Sequence, residues 1–151
     1  MIKKLKLSEI AEIRQGMQGG DAFGGGSSQE EYYIIQGKDF DKEQNLRLGS
    51  LTKIKANSIR NKELYEVNEA DILFVVRGVE HFPCFVSAPL NKAVISSSLI
   101  NIRKHSQVVL PEYLTWWLKQ REAKAYIKKN AGSAAVSFLS IKALANLPVA
   151  I

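Results

Sequence analysis

The stretch that decides the fold closes the chain, and it begins with Ala93-Val-Ile-Ser-Ser-Ser-Leu-Ile-Asn-Ile-Arg103. It continues with Leu110-Pro-Glu-Tyr-Leu-Thr-Trp-Trp-Leu118 and ends with Ala131-Gly-Ser-Ala-Ala-Val-Ser-Phe-Leu-Ser-Ile-Lys-Ala-Leu-Ala-Asn-Leu-Pro148. The β-branched residues of the first part predict a strand. The proline of the second part suits the first position of a helix, and the small residues of the third part predict a loop before a short helix.

The rest of the chain predicts further short strands. Strands are expected over Glu31–Gln36, Leu51–Ile54 and Cys84–Val86, and the apolar run Ile72–Val76 is typical of a strand buried on both faces. Ser8 is a candidate N-cap for a short helix that turns Ile10 and Ile13 inward. One long helix is predicted over Pro111–Asn130, with a short helix over Ser140–Leu147. The fold class is therefore α+β: a mixed, curved sheet of short strands with one long helix and short flanking helices.

The composition predicts a cytoplasmic protein with a polyanionic partner. The 151 residues predict a single domain, and the net charge of +6 favours nucleic acid. Cys84 is the single cysteine, so no internal disulfide forms, which suits a reducing cytosol. No apolar run approaches the roughly 20 residues of a membrane span, and no signal-peptide core follows the basic first residues.

Four motifs, in this order, resemble the target-recognition domain of the DNA-specificity subunit of type I restriction-modification systems. The first is Leu7, Glu9, Ile10 and Ala11 with Gly16 following, and the second is Ile34-Ile-Gln-Gly-Lys-Asp39. The third is Ala70-Asp-Ile-Leu-Phe-Val-Val-Arg-Gly78, in which Ala70 replaces the usual glycine. The fourth is the closing pattern of Gly132, Ser133, Ser137, Phe138 and Leu139. The resemblance covers nearly the whole chain.

The resemblance implies sequence-specific recognition of duplex DNA for bacterial defence. Methylation and cleavage would belong to partner methyltransferase and restriction subunits, and the chain itself would be no enzyme and need no cofactor or metal. The family continues into a spacer helix and a second recognition domain, so residues 1–151 are expected to form one recognition domain without them. A half-subunit, a truncated product and an excised domain all fit, and a homodimer is one way to recover a bipartite target. The alternative function is a protein-interaction or regulatory module that keeps this fold but does not bind DNA.

The predicted DNA-binding residues are polar or basic and lie in loops or at strand ends, where they can contact phosphates. Seven of the 21 lysines and arginines lie between Lys38 and Lys62. Arg77 is the best candidate for reading a base, because arginine matches guanine with two hydrogen bonds; a structural pair between Arg77 and a carboxylate is equally compatible with the sequence. The predicted set is Arg14, Gln18, Lys38, Lys53, Lys55, Arg60, Lys62 and Arg77.

The remaining motifs do not support catalysis. The glycine-rich stretch from Gly16 to Ser28 lacks the Lys-Ser/Thr of a nucleotide P-loop, so we expect a loop that becomes ordered on DNA. His81 and His105 with one cysteine make no convincing zinc site. The carboxylates near Asp39 lack the spacing of a metal-dependent nuclease. Of Trp116 and Trp117, at least one is expected in the core, although either could stack on a base.

Overall fold

The computed structural model describes residues 2–18, 30–56, 59–78, 80–132 and 137–151. Its strands are β1 Lys4–Lys6, β2 Ala11–Gln15, β3 Glu31–Ile35, β4 Thr52–Lys55, β5 Ile72–Val75, β6 Arg77–Gly78, β7 Phe82–Phe85, β8 Ala93–Ile95, β9 Leu99–Lys104, β10 Ser137–Phe138 and β11 Pro148–Ala150. Its helices are α1 Leu7–Ile10, α2 Pro111–Leu118, α3 Arg121–Asn130 and α4 Ile141–Ala145, with short 3-10 turns at Gly37–Asp39, Leu48–Ser50 and Lys62–Leu64. The α+β class with short strands is confirmed.

A four-stranded antiparallel sheet in the order β2-β9-β5-β7 forms the centre of the fold. Successive residues of a strand point to opposite faces, so Ile72 and Phe74 pack with the helices while Leu73 and Val75 pack on the other side. All four residues of β5 are buried. The prediction of a strand buried on both faces is therefore confirmed.

A three-stranded mixed sheet in the order β4-β3-β8 covers the face of the central sheet that points away from the helices. Strand β3 runs parallel to β8 and antiparallel to β4. Ile35 and Ile95 pack against Leu73 and Leu99 of the central sheet. The sheet therefore contacts the core through its β8 side, and β4 lies at its outer edge. Two ribbons, β1 with β11 and β6 with β10, complete the described pairing.

The predicted long helix over 111–130 is present only in part, because the chain breaks it between Leu118 and Arg121. The break lets two different helical faces reach the same core. A continuous helix would follow Leu114 and Leu118 with charged residues near 121–122, whereas the next buried residues are Ala123 and Ile127. The extended backbone of Gln120 (φ −79°, ψ 161°) redirects the chain and begins the second helix.

The opening helix also differs from its prediction. It begins at Leu7 with Lys6 at the N-cap, so Ser8 lies inside the helix and caps nothing. The Glu9 carboxylate accepts a hydrogen bond from the Lys6 N–H at 2.7 Å, which satisfies one free backbone donor. Ile13 lies on β2 opposite Ile102 and outside the helix. Apolar spacing cannot distinguish these outcomes in so short a segment.

A buried carboxylate joins the start of β5 to β9. Asp71 is 1% exposed and receives two hydrogen bonds from the Arg103 guanidinium, at 2.8 and 2.9 Å. It also accepts from Asn101 Nδ2 at 2.8 Å and from the Asn68 N–H at 2.7 Å. The hydrogen bonds between Arg103 and Asp71 raise the pKa of the Arg103 guanidinium. The Asp71 carboxyl is thus paired with a cation and hydrogen-bonded at both oxygens, as a buried ionisable group requires.

The residue before this carboxylate carries backbone strain. Ala70 has a φ of +73°, in the left-handed region, and its N–H donates to Val86 O at 2.8 Å. A left-handed conformation costs a residue with a Cβ about 1–2 kcal/mol. The position at which the resembled family usually has glycine is therefore one at which glycine fits this backbone better.

We predict that Ala70→Gly raises the free energy of unfolding by up to about 1 kcal/mol, because relief of the strain exceeds the entropy that glycine adds to the unfolded chain. Chemical denaturation measures it. Ala125→Gly on the exposed side of α3 is the matched control and should lower stability by about 1 kcal/mol. Equal losses from both substitutions would contradict the strain at position 70.

Tyr32 anchors β3 to the turn before β5. Its ring is 7% exposed, and its hydroxyl donates to Glu66 Oε1 at 3.1 Å. Burial, with the hydrogen bond to Glu66 and the nearby carboxylate charges adding to it, raises the pKa of Tyr32 to about 12. The folded state therefore holds this proton more tightly than the unfolded chain, whose tyrosines titrate near about 10.

We predict that Tyr32 contributes to alkaline unfolding. Its contribution is fully present below pH 10 and is lost as the pH rises from about 10 through about 12, because the unfolded chain releases the proton first. Unfolding free energies of wild type and Tyr32→Phe, measured at pH 7 and across this range, should show a shallower alkaline decline in the variant. Parallel curves for the two proteins would contradict the raised pKa.

Candidate nucleic-acid interface

The predicted DNA-binding residues fall into separate groups on the described surface. Lys53 and Lys55 lie on β4, the outer edge strand, and both are exposed. Arg60 is exposed and Lys62 half-buried in the turn that follows. These four residues, Lys53, Lys55, Arg60 and Lys62, are called the edge cations. Because an edge strand offers its side chains and one row of backbone groups to solvent, this group is accessible to a large partner.

Two tyrosines of β3 support the edge cations from both faces of the sheet. Lys53 Nζ lies 5.8 Å from the centroid of the Tyr33 ring, and Lys62 Nζ lies 5.9 Å from that of Tyr32. Adjacent residues of a strand point to opposite faces, so Tyr32 and Tyr33 hold one lysine ammonium on each face of the sheet at this edge. A cation over an aromatic ring keeps its charge and its outward donors. The lysines are thus positioned without being neutralised.

Lys38 is held by its own neighbours. Its ammonium contacts Asp39 Oδ1 at 2.8 Å and donates to Ser50 O at 3.0 Å. Asp39 is fully buried and also accepts from the Gln36 N–H and the Ser50 hydroxyl, both at 2.8 Å. Arg47 closes the same turn by donating to Lys38 O at 2.7 Å. The exposed Lys38 ammonium therefore compensates the buried carboxylate of Asp39.

Arg14 is likewise paired within the chain. Its guanidinium contacts Glu12 Oε1 at 2.6 and 2.8 Å from the same strand, β2. Gln18 is exposed and follows Met17, whose N–H donates to Ile95 O at 2.8 Å. Arg14 and Gln18 lie on or just after β2, at an edge of the central sheet, whereas the edge cations lie on or after β4 of the second sheet. The structure thus does not bring all eight predicted residues together.

Arg77 lies on the β6–β10 ribbon, and its guanidinium lies over an aromatic ring. It is exposed, its Cα partner across the ribbon is Phe138, and its guanidinium carbon lies 5.3 Å from the centroid of that ring. The Phe138 ring is itself 42% exposed. Among the ion pairs of the described residues, none includes Arg77. The contact found for this guanidinium is therefore an aromatic one, and the two planar groups face solvent together.

The backbone around Arg77 is fixed on both sides. The Val76 N–H donates to Ser98 O at 3.0 Å, and Leu139 N–H donates to Val76 O at 2.9 Å. Ser98 Oγ also accepts from the Gly37 N–H at 3.1 Å. On the other side of this turn, a Cβ on Gly16 would lie 1.7 Å from Ser96 O, so only glycine allows β2 to end there. The ends of β2 and β5, the Gly37 turn and the Ser96–Ser98 turn thus meet at one end of the central sheet.

Sequence reasoning missed the aromatic partners of the cations. Phe138 was recognised only as part of a closing motif, and nothing in the sequence pairs it with Arg77. Tyr33 follows from the strand pattern, but its contact with Lys53 depends on the β3–β4 register. An exposed phenylalanine in a small-residue loop is the one signal that could have drawn attention to Phe138.

The structure also bears on the tryptophans, the cysteine and the glycine-rich stretch noted in the sequence. Trp117 is 8% exposed and donates from Nε1 to Pro148 O, whereas Trp116 is 53% exposed, so the expectation of one core tryptophan is confirmed. Burial raises the pKa of the Cys84 thiol. Most of the predicted Gly16–Ser28 loop lies outside the described residues. Within the described residues, no three acidic, histidine or cysteine side chains group to hold a metal, and every helix is too short or too polar to span a membrane.

Solved structures share this fold over the whole chain. The S subunit of a type I restriction-modification system from M. genitalium matches with a TM-score of 0.59 and 14% identity, covering 100% of this chain and 34% of that one. The HsdS subunit from Thermoanaerobacter tengcongensis matches with a TM-score of 0.66 and 11% identity, covering 99% and 37%. A structure that describes the complex assembly and conformational transition of the type I R-M system matches with a TM-score of 0.66 and 10% identity, covering 99% of this chain and 37% of that one.

The chain spans about a third of the length of the chains it matches. No protein-family model matches the sequence, and no curated protein matches it. At these identities the comparisons bear on the fold. The chain therefore has a fold like that of the target-recognition domains in type I restriction-modification S subunits, as the resemblance in its sequence predicted.

Proposed function

We propose that this chain recognises duplex DNA sequence as a target-recognition module of a type I-like restriction-modification system. The observation that carries the proposal is the match of its entire fold to solved S subunits. The net charge of +6 supports a polyanionic partner. In this proposal the chain directs partner methyltransferase and restriction subunits, works in the cytoplasm, and needs no cofactor of its own.

The edge cations are assigned to the DNA backbone. The ammonium groups of Lys53 and Lys62 lie over tyrosine rings, and neither forms an ion pair among the described residues. Lysines contact phosphates as point charges and carry no sequence information. Lys55 and Arg60 extend the same positive edge. These residues would therefore set affinity and salt dependence, not base preference.

Arg77 is assigned to base readout. The contact with the Phe138 ring supports the guanidinium at a surface position, from which it could donate two hydrogen bonds to guanine. Arg14 and Lys38 are assigned to auxiliary phosphate contacts shared with Glu12 and Asp39. Gln18 is assigned to a polar contact with the DNA. Two copies, or one copy with its partner subunits, would then combine half-sites.

One surface favours the alternative function of a protein-interaction module. Leu110 and Trp116 are 66% and 53% exposed, and Tyr113, whose ring lies 5.6 Å from that of Trp116, completes a stripe at helical spacing along α2. Exposed apolar stripes on helices are typical of protein contacts. In a module that retains this fold without binding DNA, this stripe would carry the function.

We predict weak, strongly salt-dependent duplex binding by the isolated chain, with a Kd of roughly 10⁻⁴ to 10⁻⁶ M on random sequence at physiological salt. Fluorescence anisotropy with a randomised duplex, repeated over a salt series, measures it. Lys53→Ala should weaken binding equally on all sequences and reduce the slope of log K against log salt by about 0.9. Lys142→Ala, an exposed lysine of α4, is the control and should leave the slope unchanged. Absence of duplex binding at low salt would contradict the proposed function.

We predict that Arg77→Ala relaxes selectivity at one base position. Selection from a randomised duplex library, followed by titration of the selected sequences, gives the preference at each position. Phe138→Ala should relax the same position more mildly, because it frees the guanidinium without removing it. A uniform loss on every sequence from Arg77→Ala would show that the residue contacts phosphate and does not read a base.

A further inference from the structure

A groove that two lysines line lies along the C-terminal half of α3. Its volume is about 410 Å³. One wall is the side of α3 that carries Lys124, Ile127 and Lys128, and the opposite wall combines Gln44 with Glu80 and His81. The groove ends at Gly132, which follows α3. None of these residues belongs to the predicted DNA-binding set.

The two lysines project from one side of the helix. Residues four apart in a helix lie on the same face, about 6 Å apart along its axis. Both lysines are exposed, and among the described residues neither forms an ion pair. Glu80 is the acidic residue in the described lining, so two ammonium groups line the groove with one carboxylate. Lys128 also lies in the last turn of α3, where the helix end is negative, so an anion here would bind the lysine side chains and not the helix terminus.

Gln44 enters the groove lining from a hydrogen-bonded hairpin. Phe40 and Leu46 form an antiparallel bridge, and Asp41 Oδ1 accepts from the Glu43 and Asn45 N–H groups, both at 2.9 Å. Phe40 packs edge-on against Phe82 with ring centroids 5.6 Å apart, which seats the hairpin on the first residue of β7. Gln44 is held at the tip with a φ of +67°. The groove is thus lined by this hairpin at Gln44 and by α3 at Lys124, Ile127 and Lys128.

The same hairpin connects the groove to the edge cations. From the hairpin the chain runs through Arg47, which donates to Lys38 O, to Ser50, whose carbonyl accepts from Lys38 Nζ. Ser50 lies two residues before β4, where Lys53 stands over Tyr33. The hairpin that contributes Gln44 to the groove is thus followed in the chain by the hydrogen-bonded turn of Lys38, Arg47 and Ser50, which leads into β4.

We propose that this groove binds the sugar-phosphate backbone of the duplex, with Lys124 and Lys128 contacting phosphates. The inference rests on the proposed function and extends the DNA contact from the sheet edge to α3. Glu80 and His81 of the groove lining stand three and four positions after Arg77 in the sequence. In this proposal the groove holds the DNA backbone and Arg77 reads a base.

The test is duplex binding by Lys124→Ala and Lys128→Ala, measured by anisotropy with a randomised duplex over a salt series. Each variant should reduce the slope of log K against log salt by about 0.9 and weaken all sequences alike, and the double variant by about twice that. Lys129→Ala is the matched control, because Lys129 is exposed on the same last turn of α3 but lies outside the groove lining. Circular dichroism should show equal helix content in all four proteins, since alanine favours helix.

The two proposals fail in different ways. If Lys53→Ala reduces the salt slope while the groove variants behave like Lys129→Ala, the groove does not bind the backbone and the proposed function stands. If the wild-type chain binds no duplex, both proposals are overturned. Loss of binding to only one selected sequence from Lys124→Ala or Lys128→Ala would overturn the phosphate assignment, because phosphate contacts are independent of sequence.

Discussion

The pairing of Asp71 with Arg103 is the interaction on which the arrangement of the two main sheets depends. Arg103 lies on β9 of the central sheet, and its guanidinium also donates to Glu66 O at 3.2 Å. Glu66 is bridged to Val94, which lies on β8 of the second sheet. One side chain therefore links a central strand, the turn before β5 and the covering sheet. The Arg103 side chain is 31% exposed and Asp71 only 1%, so removal of Arg103 would leave a buried carboxylate without its cation, which is the costly direction of the two.

That link also determines where the surface groups lie. Asp71 fixes the start of β5, and the four residues of β5 then place Arg77 at the other end of the sheet beside Ser98. The second sheet, held through Glu66 and Val94, offers β4 and its lysines at the outer edge. A buried polar contact thus sets the relation between the edge cations and the arginine assigned to base readout. This network leaves one acceptor unsatisfied, because the buried Asn101 Oδ1 has no hydrogen-bond partner among the described residues.

The sequence predicted the elements whose signals are local. Pro111 occupies the first turn of α2, and Ser140 caps α4 by accepting from the Ala143 N–H at 3.1 Å, because a ring and a hydroxyl act on their own backbone neighbourhood. The break at Gln120 was missed because no glycine or proline marks it; it follows from the direction in which Ala123 and Ile127 must face. The strand content of β3, β5 and β9 was predictable, but their division among two main sheets depends on pairings between distant residues.

In the candidate site, too, local features were predictable from the sequence and contacts between distant residues were not. Basic residues between Lys38 and Lys62 are visible in the sequence, and the neighbours that hold Lys38 and Arg14 stand one and two residues away. The partner of Arg77 lies 61 positions along the chain, and the groove joins Gln44 to Lys124 and Lys128, so neither could be read from local spacing. Charge is readable from a sequence, whereas its geometry is a property of the fold.

The most direct test of DNA recognition by this fold is a map of backbone amide shifts in isotope-labelled protein titrated with duplex DNA. The predicted footprint covers β4, the turn around Arg60 and the β6–β10 ribbon, and it leaves the β1–β11 ribbon and the exposed side of α2 unchanged. No shift at saturating DNA, or shifts confined to α2, would contradict the proposed function.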